Sequence, residues 1–257
     1  MSELTTIRWE RQGPVGVLTL ARPESRNGIV RAMMLELHAL LASLVDDASL
    51  GVLLLQGEGG DFCPGADLRA SADGKAGGTP IETFDVATLL HDMPAVTIAA
   101  IRGACAGAGL AWAAACDLRI ASSSARFNTA FLDVGLCGDM GGPWTLPRIV
   151  GAAVARDLYF LPGKFDAAEA LRIGLVSRVI DDGDFATEAH ALAHRVAAKA
   201  PRALRTIKEN FVAAERMGFG GFVTFEAERH NNLARGAESR EARAAFLEKR
   251  APVFERA

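Results

Sequence analysis

The apolar run Ala95-Val96-Thr97-Ile98-Ala99-Ala100-Ile101, then Arg102-Gly103-Ala104-Cys105-Ala106-Gly107-Ala108-Gly109, then the Ala-rich run 110–116 together decide how this chain folds. A partly β-branched apolar segment gives way to a small-residue turn and then to a helix-forming segment, which reads as strand, tight loop and helix start. Small residues at such a turn let a ligand approach the main chain closely. A helix N-terminus leaves N–H groups without intrahelical partners and carries positive partial charge, so an oxyanion is welcome there. Further on, the turn Cys137-Gly138-Asp139-Met140-Gly141-Gly142-Pro143-Trp144 contains one acid, Asp139.

The same grammar occurs once more upstream. Gly51-Val52-Leu53-Leu54-Leu55-Gln56 is a continuous apolar run, as expected of a strand covered on both faces, and it leads into Gly57-Glu58-Gly59-Gly60-Asp61-Phe62-Cys63-Pro64-Gly65-Ala66-Asp67-Leu68. Two strand-to-loop units of similar character can present their backbones to one site. Outward from these, residues 5–11 and 15–21 flank Gln12-Gly13-Pro14 and predict an opening hairpin. The spacing of Met33, Leu37, Leu40 and Leu44 predicts a helix from residue 30 to about 46. Residues 70–79 are rich in Gly, Ala, Ser and Asp and read as a mobile loop, followed by a helix over 81–91 that breaks before Pro94. Strands are expected at 118–121, 125–127 and 175–180, and helices at 143–160 and 166–173. The final stretch changes character: 185–200, 201–217, 222–235 and 239–249 all follow helical patterns. A helical tail with apolar faces and little to cover them suggests an oligomer.

Composition bounds the function. The 257 residues are half hydrophobic and 23% charged with a formal net charge of -3, so neither nucleic acid nor an anionic membrane surface is an expected partner. The four cysteines (Cys63, Cys105, Cys116 and Cys137) lie in or beside apolar stretches without CxxC spacing, which favours free thiols in a reducing compartment. The polar N-terminus does not read as a signal peptide, and the longest apolar stretch is shorter than a membrane span, so a cytoplasmic protein is expected. GxSxG, HExxH and P-loop motifs are absent, and Trp112 stands where a dinucleotide fingerprint needs its third Gly. His190 and His194 lie four apart on a helix but lack an acidic third ligand, so they read as solvent-facing and no metal is expected.

Five segments taken in order carry a resemblance: 62–68; 102–109 with Cys116-Asp117-Leu118-Arg119-Ile120-Ala121; 135–142; 169–176; and Ala245-Phe246-Leu247-Glu248-Lys249-Arg250. Together they resemble the enoyl-CoA hydratase/isomerase (crotonase) superfamily over nearly the whole chain. The resemblance implies an α/β fold, a crotonase-type ββα superhelical spiral over 1–195, with a helical C-terminal trimerisation region over 196–257 and a homotrimer or hexamer as the assembly. It implies an acyl-CoA thioester as substrate, with coenzyme A entering as part of it and no permanently bound cofactor. The thioester oxygen would lie between the N–H groups of Ala66 and Ala108, which stabilise an enolate. Family members often carry Gly where Ala108 stands; the added methyl narrows the approach but leaves the N–H.

The departures from the family pattern carry as much information. Hydratases of the family use two glutamates, and the matching positions here are Ala111 and Phe131, neither of which transfers a proton. Asp139 is the remaining acid. The pattern Ala130-Phe131, Gly135-Leu136, Asp139, Gly141-Gly142, Trp144, Leu146-Pro147-Arg148 is similar to a branch that includes epoxyphenylacetyl-CoA isomerases, in which the matching Asp is the acid/base. The plainer reading of Asp139 is an Asx-turn or a helix cap before Pro143. The expected activity is therefore isomerisation of an acyl-CoA through Asp139. The alternatives are an enoyl-CoA hydratase with water activated by Asp139 alone, and a silent acyl-CoA-binding protein. The acyl pocket is expected to involve Phe84, Gly107, Ala111, Phe131 and Trp144, with Leu68 beside the first donor. The CoA moiety is expected near Arg26, Lys249 and His230, the last two from a neighbouring subunit. Asp67 follows the first donor and reads best as the N-cap of a helix beginning at Leu68.

Overall fold

The computed structural model describes residues 4–72 and 80–254 of the chain. The mobile loop expected at 70–79 lies for the most part outside the described residues. The chain opens with the hairpin β1 (Ile7–Gln12) and β2 (Val15–Leu20), turned at Gly13 with φ +60°, the left-handed conformation a two-residue hairpin loop requires. From β2 onward the main sheet is parallel: β3 (Val52–Gly57), β4 (Val96–Ile101), β6 (Leu118–Ser122) and β9 (Arg178–Ile180) complete the order β1-β2-β3-β4-β6-β9.

Both faces of that sheet are covered, which is why its strands read as unbroken apolar runs rather than alternating ones. One face, with Leu18, Leu53, Leu55, Ala99 and Ile101, packs against α1 (Arg31–Leu44), α3 (Val86–Asp92) and α4 (Ala108–Ala115). The apolar stripe of α1 is buried along its length, at Met33, Met34, Leu37, Leu40, Leu41 and Leu44. The other face, with Val15, Val17, Leu54, Ile98 and Ile120, is closed by Phe185, Ala189, Leu192 and Ala193 of α8 (Phe185–Ala197).

A second, smaller sheet runs beside the first: β5 (Ala104–Ala106), β7 (Arg126–Asn128) and β8 (Phe165–Asp166), in the order β5-β7-β8. The segment after β3 reaches this sheet through a bridge between Cys63 and Cys105 and then enters the short helix α2 (Leu68–Ala72). Each turn of the spiral thus passes from a strand of the first sheet to a strand or bridge at the second and then to a helix. That is the ββα repeat the resemblance implies.

Four local expectations are corrected. The 102–109 loop contains β5, because Gly103 at φ +54° turns the chain so that Ala104–Ala106 can pair with β7. The helix expected over 143–160 is two, α5 (Gly142–Val150) and α6 (Ala152–Phe160), and the break falls at Gly151 with φ +83°, not at Pro147. The helix over 81–91 begins as a 3-10 turn, Ile81–Asp85, before α3. Strand pairing in 175–180 is confined to β9, while Leu175 and Val176 are buried ahead of it after α7 (Ala167–Arg172).

The tail forms α9 (Pro201–Ala214), α10 (Phe219–Ala234) and α11 (Ala237–Leu247). It is tied to the core by Lys208, whose Nζ lies 2.6 Å from both Asp117 oxygens, while Asp117 also accepts from the Thr97 backbone N–H at 2.8 Å. Phe211, Phe219, Phe246 and Leu247 remain exposed on these helices. No described helix is long and apolar enough to cross a membrane.

Candidate active site

Two backbone loops meet at the site, and the fold holds each of them from several sides. Asn27, fully buried and at φ +63°, donates from Nδ2 to the Glu58 and Asp61 carbonyls (3.0 and 2.7 Å) and accepts from the Arg22 N–H (2.9 Å). Asp61 then accepts from the Ala104 N–H at 2.6 Å and from the Arg26 guanidinium at 2.7 Å. These partners hold the Asp61 carboxyl below the ordinary range against the opposing effect of its burial. A short ladder continues between the loops: Phe62 N–H to Arg102 O (2.7 Å), Cys63 N–H to Ala104 O and Ala106 N–H to Cys63 O (2.9 Å each).

This ladder brings Ala66 beside Ala108. The residues flanking Ala66 are bonded, since Ile29 N–H donates to Gly65 O (2.8 Å) and Asp67 N–H to Ile29 O (2.9 Å), but the Ala66 amide donates to no described residue. Ala108 opens α4 directly after Gly107, and its amide is likewise undonated, as expected of a first-turn N–H. The loops approach through glycine. Gly65 has φ +96°, and a Cβ built on it lies 3.1 Å from the Ala106 carbonyl oxygen and 3.6 Å from the Ala108 nitrogen. Gly107, at φ +53°, faces it: a Cβ there lies 3.8 Å from the Gly65 Cα and 3.9 Å from the Phe131 ring.

Asp139 arrives from a different part of the chain, a turn with left-handed φ at Gly138, Met140 and Gly141. Its Oδ1 is buried without a hydrogen-bond partner among the described residues, and burial alone pushes its carboxyl up to about 6. A cavity of about 120 Å³ is lined by Ala66, Ala108, Asp139, Phe84, Met34 and Met140, among others. Phe84 and Met140 also line an adjoining cavity of about 320 Å³, whose walls include Trp144, His91, Asp92 and Glu215. His91 lies 2.6 Å from Asp92 and 3.2 Å from Glu215, with its ring edge-on to Trp144, and the Arg148 guanidinium covers that indole at 3.8 Å.

The structure therefore brings Ala66, Ala108, Asp139 and Phe84 into one cavity and places Trp144 in the next. Asp67 also lines the first cavity. It accepts from the Ala70 N–H at 3.1 Å as α2 starts, and pairs with Arg22 at 3.1 Å. Leu68 opens α2 and is exposed. Ala111 and Phe131 are buried next to the site but line neither cavity; the Phe131 ring lies parallel to that of Tyr159 of α6, and Ala111 lies against Gly142. Arg26 is exposed beside the first loop and paired with Asp61, which raises its pKa. His230 lines a separate cavity of about 650 Å³ between α9, α10 and α11, and Lys249 is exposed just after α11, so within one chain neither shares the cavity of Asp139. Sequence reading missed Asn27, although Asn-Gly at 27–28 is a left-handed turn signal. It also missed Tyr159, which no local signal marks.

With this geometry in view, comparison with known proteins is direct. Residues 10–257 match the family model described as enoyl-CoA hydratase/isomerase. The chain is 37% identical to a probable enoyl-CoA hydratase of Rhodobacter capsulatus, with 97% of each chain covered. It is 35% identical to the 1,2-epoxyphenylacetyl-CoA isomerase of Escherichia coli, covering 93% of this chain and 94% of that one. Among solved structures, a putative enoyl-CoA hydratase from Streptomyces coelicolor superposes with a TM-score of 0.92 at 34% identity, over 99% of this chain and 96% of that one. The chain belongs to the enoyl-CoA hydratase/isomerase family and has the crotonase fold.

Proposed function

We propose that this protein isomerises an acyl-CoA thioester, with Asp139 as its single acid/base and the amides of Ala66 and Ala108 as the hole for the thioester oxygen. The observation that carries this reading is a half-buried carboxyl whose Oδ1 is buried without a partner, in the same cavity as two amides that donate to no described residue. The ionised Asp139 takes a proton from the carbon beside the thioester. The electron pair moves onto the thioester oxygen, and the carboxyl returns the proton to another carbon. Each amide aimed at the developing oxyanion contributes ~3 kcal/mol to lowering the barrier. Coenzyme A enters and leaves with the substrate, and no resident cofactor takes part in the steps as written. Arg26 is the proposed contact to its nucleotide, with Lys249 and His230 reaching it from a neighbouring subunit. The exposed apolar side chains on α9 to α11 support assembly as a homotrimer or hexamer.

A second reading, hydration, is favoured by the hydratase names of several relatives, including the short-chain-enoyl-CoA hydratase of Clostridium acetobutylicum at 30% identity. Ala111 and Phe131 weigh against it, because neither can activate water. The discriminating experiment is incubation in heavy water with saturated, 2-enoyl, 3-enoyl and phenylacetyl-type CoA esters, following mass gain and product identity alongside Asp139→Asn. Isomerisation gives deuterium uptake or double-bond migration that is lost in the variant while ester binding is retained. A hydroxyacyl-CoA product would establish hydration instead, and binding without exchange would leave an acyl-CoA-binding protein.

A further inference from the structure

Tyr159, the chain's single tyrosine, lies on α6 and is half-buried, its ring parallel to that of Phe131 (interplanar angle 3°, centroids 6.3 Å apart). It covers the two glycines near Asp139. A Cβ built on Gly138 lies 3.4 Å from the Tyr159 ring, and one built on Gly142 collides with the Tyr159 hydroxyl and lies 3.5 Å from the Ala111 methyl. The hydroxyl makes no hydrogen bond to a described residue. Burial, and then the charge of Asp139, push this phenol up to about 12, so it stays neutral across the working range.

The groups around Asp139 come from three places. Tyr159 stands on α6. Cys63 lies in the first loop, its thiol pushed up to about 12 by burial, with Asp139 contributing. Arg31 of α1 and Asp67 line the shared cavity. Only the exclusion of water accounts for the raised Asp139 carboxyl. Tyr159, Pro143 and Phe131 lie against Gly138, and Tyr159 and Ala111 against Gly142, so Tyr159 is the side chain that meets the positions on both sides of Asp139.

We propose that Tyr159 is the positioning residue of Asp139: its ring, wedged between Phe131 and the two glycines, fixes the acid loop and keeps water from the carboxyl. This rests on the reading of Asp139 as the acid/base.

The test compares Tyr159→Ala, Tyr159→Phe and Gly142→Ala with the wild type, measuring the exchange rate beside the thioester of a 3-enoyl-CoA in heavy water against pH, and KM for the ester. Tyr159→Ala is expected to lower the rate about tenfold at little-changed KM, and to move the acid limb down by roughly one pH unit as water reaches Asp139. Tyr159→Phe keeps the ring, so its limb and rate are expected to stay close to wild type. Gly142→Ala displaces the phenol without changing Tyr159 and is expected to move the limb in the same direction as Tyr159→Ala. An unmoved limb in both displacing variants, or Tyr159→Phe behaving like Tyr159→Ala, would overturn the proposal. The Asp139 carboxyl is also titrated directly by carbon NMR, assigned by its loss in Asp139→Asn. Exchange that persists in Asp139→Asn while Tyr159→Ala still lowers this titration would overturn the acid/base reading and leave the positioning role standing.

Discussion

The two backbone loops and the acid turn serve one cavity but are held in opposite ways. The loops at 62–67 and 102–109 are laced together by main-chain hydrogen bonds and by Asn27 and Asp61, so the undonated amides of Ala66 and Ala108 are fixed before any ligand arrives. The turn carrying Asp139 follows a segment with exposed Leu132, Val134 and Leu136, and its acid has no hydrogen-bonded anchor at Oδ1. Charge stabilisation is thus built into the fold itself, whereas the proton-transfer group depends on what packs around it. Preorganised donors contribute to catalysis because they need no rearrangement as charge develops. A carboxyl suits proton transfer near neutral pH when burial weakens its charged form.

Three substitutions press on this contrast, in decreasing order of effect. Gly65→Ala puts a Cβ 3.1 Å from the Ala106 carbonyl at a φ of +96°, and so shifts the first amide relative to the second. Exchange is expected to fall by about two orders of magnitude with the acid limb unmoved, because only the hole is damaged. Asn27→Ala removes three hydrogen bonds from a fully buried side chain and leaves the Asp61 and Glu58 carbonyls without that donor. A loss of about 2 kcal/mol, read as a fall in Tm of roughly 4–8 °C, is expected from calorimetry.

On stability, Asp139→Asn has the smallest effect, and its sign is informative. The carboxyl is at about 6 in the folded protein against 3.8 ordinarily, so the folded state holds the proton more tightly and loses stability as pH rises through that window. Asn does not ionise. The variant is expected to be more stable than wild type at pH 7 by about 1 kcal/mol, with the gain vanishing by about pH 4. Denaturant melts at the two pH values check this, and a loss of stability at pH 7 would mean the carboxyl is held by a partner rather than merely buried.

How much of this is visible in the chain follows the same division. The parallel sheet and both loops are legible because burial on two faces erases alternation in β3 and β4, and because Gly65 and Gly107 mark where backbone must approach backbone. Asp139 is legible as the only acid in its turn. The strand Ala104–Ala106 is not, since three small residues carry no period, and the break at Gly151 is hidden because apolar spacing continues across it. Tyr159 is the clearest omission. It comes twenty residues after Asp139 in a short amphipathic helix, and only tertiary packing puts it against Gly138 and Gly142.

The most direct test of the central claim is the pH dependence of wild-type exchange beside the thioester carbon. If Asp139, with its Oδ1 buried and unpartnered, is the base, kcat/KM rises through an acid limb near pH 6, and the limb disappears with activity in Asp139→Asn. A limb at the ordinary carboxylate value, or exchange that survives unchanged in the variant, would contradict it.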